Sequence, residues 1–309
     1  MTTDWFASRT YRADNFDIAD LAARKADDGT TVSVVLPAFN ESATIAGVIH
    51  ACAELSGQLV DEIVVTDGGS TDDTTTVAAE AGATVYGPDQ LLPDHGPMLG
   101  KGDALWRSLS VTTGDIVVFV DTDIRNPDPR FVWALLGPLL TEPTVDLVKA
   151  YYERPIEVGG QLQPSGGGRV TELMARPLLN LFWPELAGII QPLSGEYAVR
   201  RDLLTELPFF TGYGVEIGML IDTLESRGIN AMAQVDLSTR IHRNQTLDAL
   251  SRMASGILHV AADRLRSSGR ATIAEGLPTA YTQFTRDDNG TSPEQHDIKI
   301  VERRPFSEL

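Results

Sequence analysis

Cysteine is almost missing from this sequence. Cys52 is the only one in 309 residues, so no intrachain disulfide can form and the fold must rest on its core. It lies in a helical pattern, Ala43 to Leu55, where a lone thiol reads as a small apolar side chain. Long apolar runs are missing too: none approaches the roughly 20 residues of a membrane span, and the N-terminus carries Asp4 and no apolar signal core. A cytoplasmic protein without a membrane span is expected. Basic residues are scarce, with 25 Lys and Arg against 43 Asp and Glu and a net charge of -18. Such a balance repels nucleic acid and anionic membranes as bulk partners, so an anionic ligand would need a local basic pocket. No G-x-G-x-x-G follows the first apolar strand and no G-x-x-x-x-G-K-[ST] occurs, which speaks against a dinucleotide oxidoreductase and a P-loop ATPase.

What is present is an alternation. "TVSVVLPAFN", "VDEIVVTDGGS", "ATVYG" and "DIVVFVDTD" read as strands, and "SATIAGVIHACAELSG", "TDDTTTVAAEAG", "KGDALWRSLSVTTG" and "PDPRFVWALLGPLL" as the helices between them. Near-continuous apolar strands alternating with helices imply an α/β fold, a mostly parallel sheet covered on both faces. Residues 1–31 form a charged, partly helical lead-in with Trp5, Phe6, Tyr11 and Phe16 as docking aromatics. Residues 32–155 hold the α/β half. Residues 156–270 change rhythm: a Gly-rich loop, a long helix expected to run to Leu186, and further helices from Gly214 and from Gln245 to about Arg266. Residues 271–309 are polar and turn-rich, and are expected as a mobile tail or arm.

In such sheets ligands collect at the carboxyl ends of the strands. "IVVFVDTDIRNP" runs a buried strand straight into Asp121 and Asp123. Burying ionised carboxylates without partners costs several kcal/mol, roughly, so this strand end should face something positive. Residues two apart on an extended chain share a side, and a divalent cation is the first candidate. An Asp-rich turn capping the next helix would also explain the pair. "PAFNE" and "TDGGSTDDT" end the two neighbouring strands, so three polar ends form one crevice. "HGPMLGKGDA" carries Lys101 into a helix start suited to an anion.

In the second half, "PSGGGRVTEL" combines three glycines, Arg169, Thr171 and a helix start, a plausible phosphate or carboxylate site; the bland alternative is a flexible loop. "TGYGVEIG" puts Glu216 in the first turn of a helix, where dipole complementation alone could account for it. "RIHRNQ" sets His242 among cationic neighbours in a very acidic chain.

Taken in order, "LPAFNE", the Asp-Gly-Gly-Ser-Thr-Asp turn and the D-x-D of "DTD" resemble nucleotide-sugar glycosyltransferases of the GT-A fold. The downstream set "GGGRVTEL", "PLSGEYA", "GYGVEIG" and "RIHRN" narrows the resemblance to the actinobacterial glucosyl-3-phosphoglycerate synthases of glycosyltransferase family 81, over roughly residues 30 to 265. The resemblance implies a retaining transfer of glucose from UDP-glucose to the 2-hydroxyl of 3-phosphoglycerate, giving a precursor of methylglucose lipopolysaccharide. It further implies Mg²⁺ or Mn²⁺ as cofactor and a homodimer.

Carried over residue by residue, it puts Pro37, Ala38, Phe39, Asn40, Glu41 and Gly68 around uridine, with Lys101 near the nucleotide. Asp121 and Thr122 would meet the ribose and phosphate side. Asp123 and His242 would hold the metal. Leu193, Tyr213, Gly214, Val215 and Glu216 would face the glucose, with Arg240 also on the donor side. Gly168, Arg169, Val170, Thr171 and Asn244 would bind the acceptor. Asp123 and Glu216 are the catalytic candidates, without an assigned nucleophile. Gly68 departs from the Asp or Ser of relatives, so a uracil contact there must come from backbone.

The chemistry agrees: negative charge builds on the departing diphosphate as the sugar becomes oxocarbenium-like, and a metal stabilises it without a proton donor. A sugar-1-phosphate nucleotidyltransferase would want a Gly-rich basic signature after the first strand, which "PAFNES" lacks. A non-catalytic nucleotide-sugar binder would need neither His242 nor the Arg169 loop.

Overall fold

The computed structural model describes residues 2–158, 161–163, 168–241, 245–287 and 290–309. His242 and Asn244, expected at the metal and the acceptor, lie outside them.

One eight-stranded sheet carries the molecule. From one edge its strands are Thr10–Arg12, Met232–Thr239, Leu147–Glu153, Tyr197–Arg200, Ile116–Phe119, Val32–Ala38, Glu62–Asp67 and Thr84–Tyr86. All neighbours are parallel except Tyr197–Arg200, which runs antiparallel to both of its partners. The apolar runs follow from burial on both faces: Ile116, Val118 and Val120 enter one core with the helices Ile45–Ala53 and Arg130–Thr141, while Val117 and Phe119 enter the other with Lys101–Ser108 and Val215–Arg227. Each such side chain contributes roughly 1.5–3 kcal/mol on burial.

The lead-in docks by its aromatics and adds the edge strand Thr10–Arg12. Trp5 is buried, and its Nε1 donates to the Ile229 carbonyl at 2.8 Å. Phe6, by contrast, stays 43% exposed.

The helix expected to run to Leu186 is broken. A π-helical turn, Thr171–Ala175, leads into Arg176–Phe182, and the chain leaves helical geometry at Trp183 (φ -133°, ψ 66°) before a 3₁₀ turn at Pro184–Gly188. A residue preceding proline is driven out of the α region, and here the break drops the Trp183 side chain fully into the core.

Residues 271–309 are an arm that returns to the body. Ala280–Asp287 and Gly290–Asp297 form an antiparallel hairpin, and Glu302–Arg303 pairs with Phe209–Phe210. Polar composition hid a specific attraction. Asp103 is completely buried on the Lys101–Ser108 helix, and Arg303 grips both its oxygens at 2.8 and 3.0 Å. Trp106 seals the contact by donating to the Arg304 carbonyl at 3.0 Å.

Candidate active site

A cavity of about 600 Å³ opens where the strands Val32–Ala38, Glu62–Asp67 and Ile116–Phe119 end. Pro37, Ala38, Phe39, Glu41, Thr66 and Gly68 form one wall. Phe39 presents a ring 59% exposed, and the Gly68 N–H donates to the Ala38 carbonyl at 2.8 Å, so the two loops close on each other. Asn40, expected among the uridine contacts, is not part of this wall. Its backbone is left-handed (φ 56°), its N–H donates to Ser70 Oγ and its Oδ1 accepts from the Thr71 N–H, both at 2.8 Å. It ties together the loops that carry Phe39 and Gly68.

The floor is a chain of alternating charges. Lys101 Nζ lies 2.8 Å from Glu216 Oε1 and 2.6 Å from Asp121 Oδ1. Arg240 Nη2 lies 3.0 Å from Asp121 Oδ2 and 2.7 Å from Asp123 Oδ1, while its Nε lies 2.9 Å from Glu196 Oε1. Backbone contacts put Arg240 there: the Arg240 N–H donates to the Glu153 carbonyl and the Arg125 N–H to the Ile241 carbonyl, which binds the end of Met232–Thr239 to the loop after Asp123.

Electrostatics separates the two aspartates. Burial pushes against ionisation of Asp121, but Lys101 and Arg240 outweigh it and hold the carboxyl well below the usual range. For Asp123, burial wins: with Asp121 adding to it against Arg240, the carboxyl is raised. Lys101 is raised well above an ordinary lysine, since Asp121 and Glu216 outweigh the burial that opposes its charge.

Across the cavity, Gly168, Arg169, Val170 and Thr171 face this floor, with Leu193 and Tyr213 at the side. Gly168 takes φ 76°, and Arg169 Nη2 donates to the Gln245 carbonyl at 3.0 Å. Thr122 also lines the space, its hydroxyl donating to the Pro37 carbonyl at 2.8 Å. Gly214 and Val215 stand behind it: Val215 is buried in the apolar core, and a Cβ on Gly214 would strike Val260. They place Tyr213 and Glu216 without touching the cavity.

Several lining residues were not expected: Arg154, Gln245, and Leu250, Met253 and Ile257 from the helix Leu247–Ser267. Glu196, which grips Arg240 from behind, was also missed. A single charge within "SGEYAV", in the run-up to a buried strand, was the available signal.

Among the described residues no cluster of three or more His, Cys, Asp and Glu side chains could hold a metal ion by itself. The donors nevertheless suit a hard cation that also binds a diphosphate. Both oxygens of Asp121 are committed to cations, whereas among the described residues Asp123 meets a cation only through Oδ1, at Arg240. No helix among the described residues is long and apolar enough to cross a membrane.

The family model described as Glycosyl transferase family 2 matches residues 33–192. A glucosyl-3-phosphoglycerate synthase of Mycolicibacterium smegmatis is 47% identical over 99% of this chain and 98% of its own. Among solved structures, mannosyl-3-phosphoglycerate synthase from Rubrobacter xylanophilus superposes with a TM-score of 0.91 at 43% identity, covering 100% of this chain and 98% of that one. Glucosyl-3-phosphoglycerate synthase from Mycobacterium tuberculosis, in complex with Mn²⁺ and UDP-glucose, gives 0.84 at 46% identity, covering 95% of each chain. The fold agrees with both, and the chain belongs to the family of the glucosyl-3-phosphoglycerate synthases, its first half carrying the domain that the glycosyl transferase model describes.

Proposed function

We propose that this protein transfers glucose from UDP-glucose to the 2-hydroxyl of 3-phosphoglycerate with retention of configuration, releasing UDP and requiring Mn²⁺ or Mg²⁺. A homodimer in the cytoplasm is part of the same reading. One observation carries it: the Lys101–Asp121–Arg240–Asp123 charge chain and the Arg169 loop line a single cavity.

The uracil lies against Phe39 and Pro37, met at Gly68 by backbone alone, while Asp121 and Thr122 lie beside the ribose and Lys101 and Arg240 put positive charge beside the diphosphate. Asp123, with His242 carried over from the family, would hold the metal, which when bound would supply further charge for the leaving group. Arg169 and Thr171, with Asn244 carried over from the family, hold the acceptor's anionic end, which answers how a chain of net charge -18 accepts a polyanion.

Retention through a covalent intermediate needs a free carboxylate under the anomeric carbon. Glu216 is 5% exposed and tied to Lys101, so it suits fixing that lysine better than attacking sugar. The acceptor hydroxyl therefore attacks from the face that UDP leaves, and Leu193 and Tyr213 hold the sugar in place.

The likeness to the mannosyl enzyme supports a second donor, a nucleotide-diphosphate mannose. Turnover with each donor at fixed 3-phosphoglycerate and Mn²⁺ tests the choice. UDP-glucose should be preferred; preference for the mannose donor would replace it.

A further inference from the structure

We infer that Ser194, Gly195 and Glu196 form a positioning element for the nucleotide-sugar site, acting through Asp121 and Arg240; the inference rests on the function proposed above. None of the three lines the cavity, and Ser194 and Glu196 are completely buried. Each holds something that matters to it.

The Ser194 carbonyl accepts from Lys149 Nζ at 2.6 Å, and Lys149, itself buried, lies 4.4 Å over the Tyr197 ring. This anchors the segment to the centre of the sheet. Gly195 presses against the Asp121 carboxylate so closely that a Cβ there would overlap it. The carboxylate is thereby confined to the space between Lys101 and Arg240. Glu196 accepts from Tyr152 through Oε2 and forms an ion pair with Arg240, Oε1 lying 2.9 Å from Nε without hydrogen-bond alignment, and its carbonyl accepts from the Ala150 N–H at 3.0 Å. A guanidinium is planar and rigid, so fixing Nε sets the direction in which Nη2 meets Asp121 and Asp123.

A fully buried carboxylate is a poor way to gain stability, because desolvation offsets most of the attraction. Its place directly behind Arg240 is accounted for by aim. A single segment thus sets both the acid and the base of the charge chain.

The test is a double-mutant cycle of Gly195→Ala and Asp121→Ala, read as UDP affinity by calorimetry with Mn²⁺ and as thermal stability without ligand. Gly195→Ala alone should weaken UDP binding by on the order of ten- to a hundredfold, the loss typical of a charge-assisted contact. In the Asp121→Ala background the new methyl has room, so its addition should change affinity by less than about twofold and its thermal penalty should vanish. Full penalties in both backgrounds overturn the inference.

Glu196→Gln keeps the size of the side chain and removes the charge that pairs with Arg240, so it should lose UDP binding nearly as Glu196→Ala does. Wild-type UDP affinity in both variants would also count against the inference. A wild-type protein that binds no UDP would refute the proposed function, while the unliganded thermal cycle would still decide whether Gly195 acts through Asp121.

Discussion

Arg240 Nη2 lies 2.7 Å from Asp123 Oδ1, which fixes one oxygen of that carboxylate on a protein cation while Oδ2 meets no cation among the described residues. The arrangement holds Asp123 in place, as the metal-ligand role proposed for it requires. Asp123→Ala should lower UDP release from UDP-glucose and 3-phosphoglycerate by at least about a hundredfold, the scale of a lost metal or transition-state charge contact. Chelation should abolish wild-type turnover, with Mn²⁺ or Mg²⁺ restoring it. Near-normal activity of the variant in metal-stripped buffer would remove the D-x-D pair from the chemistry.

Arg169 lines the cavity, and among the described residues its guanidinium makes one hydrogen bond, from Nη2 to the Gln245 carbonyl. Losing one charge-assisted contact costs about 1.5–3 kcal/mol. Arg169→Ala should therefore raise KM for 3-phosphoglycerate roughly ten- to a hundredfold and leave UDP-glucose binding nearly unchanged. Loss of donor binding with an unchanged acceptor KM would move the loop to the donor side.

The C-terminal arm is tied through Asp103 to the helix that carries Lys101. Arg303→Ala leaves that buried carboxylate with Arg107, 3.3 Å away, and the Leu99 N–H at 2.8 Å. Removing a partner of a buried charge typically costs about 3–5 kcal/mol, less where others remain. A lower melting temperature and weaker UDP binding are expected together, because Asp103 shares its helix with Lys101. Unchanged UDP affinity in a destabilised variant would confine Arg303 to stability.

Burial pushes Lys149 down to about 7 from an ordinary value of 10.5. Between these two values the native chain holds fewer protons than the unfolded one, so stability should rise with pH across that window. Below about 7 both states hold the proton, and the penalty for burying the charge is complete. Lys149→Met should remove this rise from the dependence of melting temperature on pH. Identical slopes for wild type and variant from pH 7 to 10 would contradict it.

How much of this was legible depended on where the signal sat. Asp121, Asp123, Phe39 and Gly68 follow strands whose apolar runs announce themselves, and the ends of parallel strands are where ligands gather. Leu250, Met253 and Ile257 were not legible as site residues, because helical periodicity marks an apolar face without saying which part of it borders a cavity. Glu196 was hidden for another reason: a buried carboxylate is intelligible only beside its cation, and Arg240 lies far along the chain. The break at Trp183 was available in the following proline and was outweighed by the apolar pattern around it. Arm residues such as Arg303 looked like solvated polar chain until Asp103 was seen beneath them.

The central claim is that one cavity joins a nucleotide-sugar site to an acceptor site for a small phosphorylated acid. The most direct measurement is nuclear magnetic resonance of the products formed from UDP-glucose, 3-phosphoglycerate and Mn²⁺. UDP should appear together with one new phosphorylated glucoside, linked through the 2-hydroxyl and with the anomeric configuration of the donor, and Asp123→Ala should give neither. UDP with free glucose and no glucoside, a sugar 1-phosphate, or unchanged substrates under saturating conditions would contradict the account.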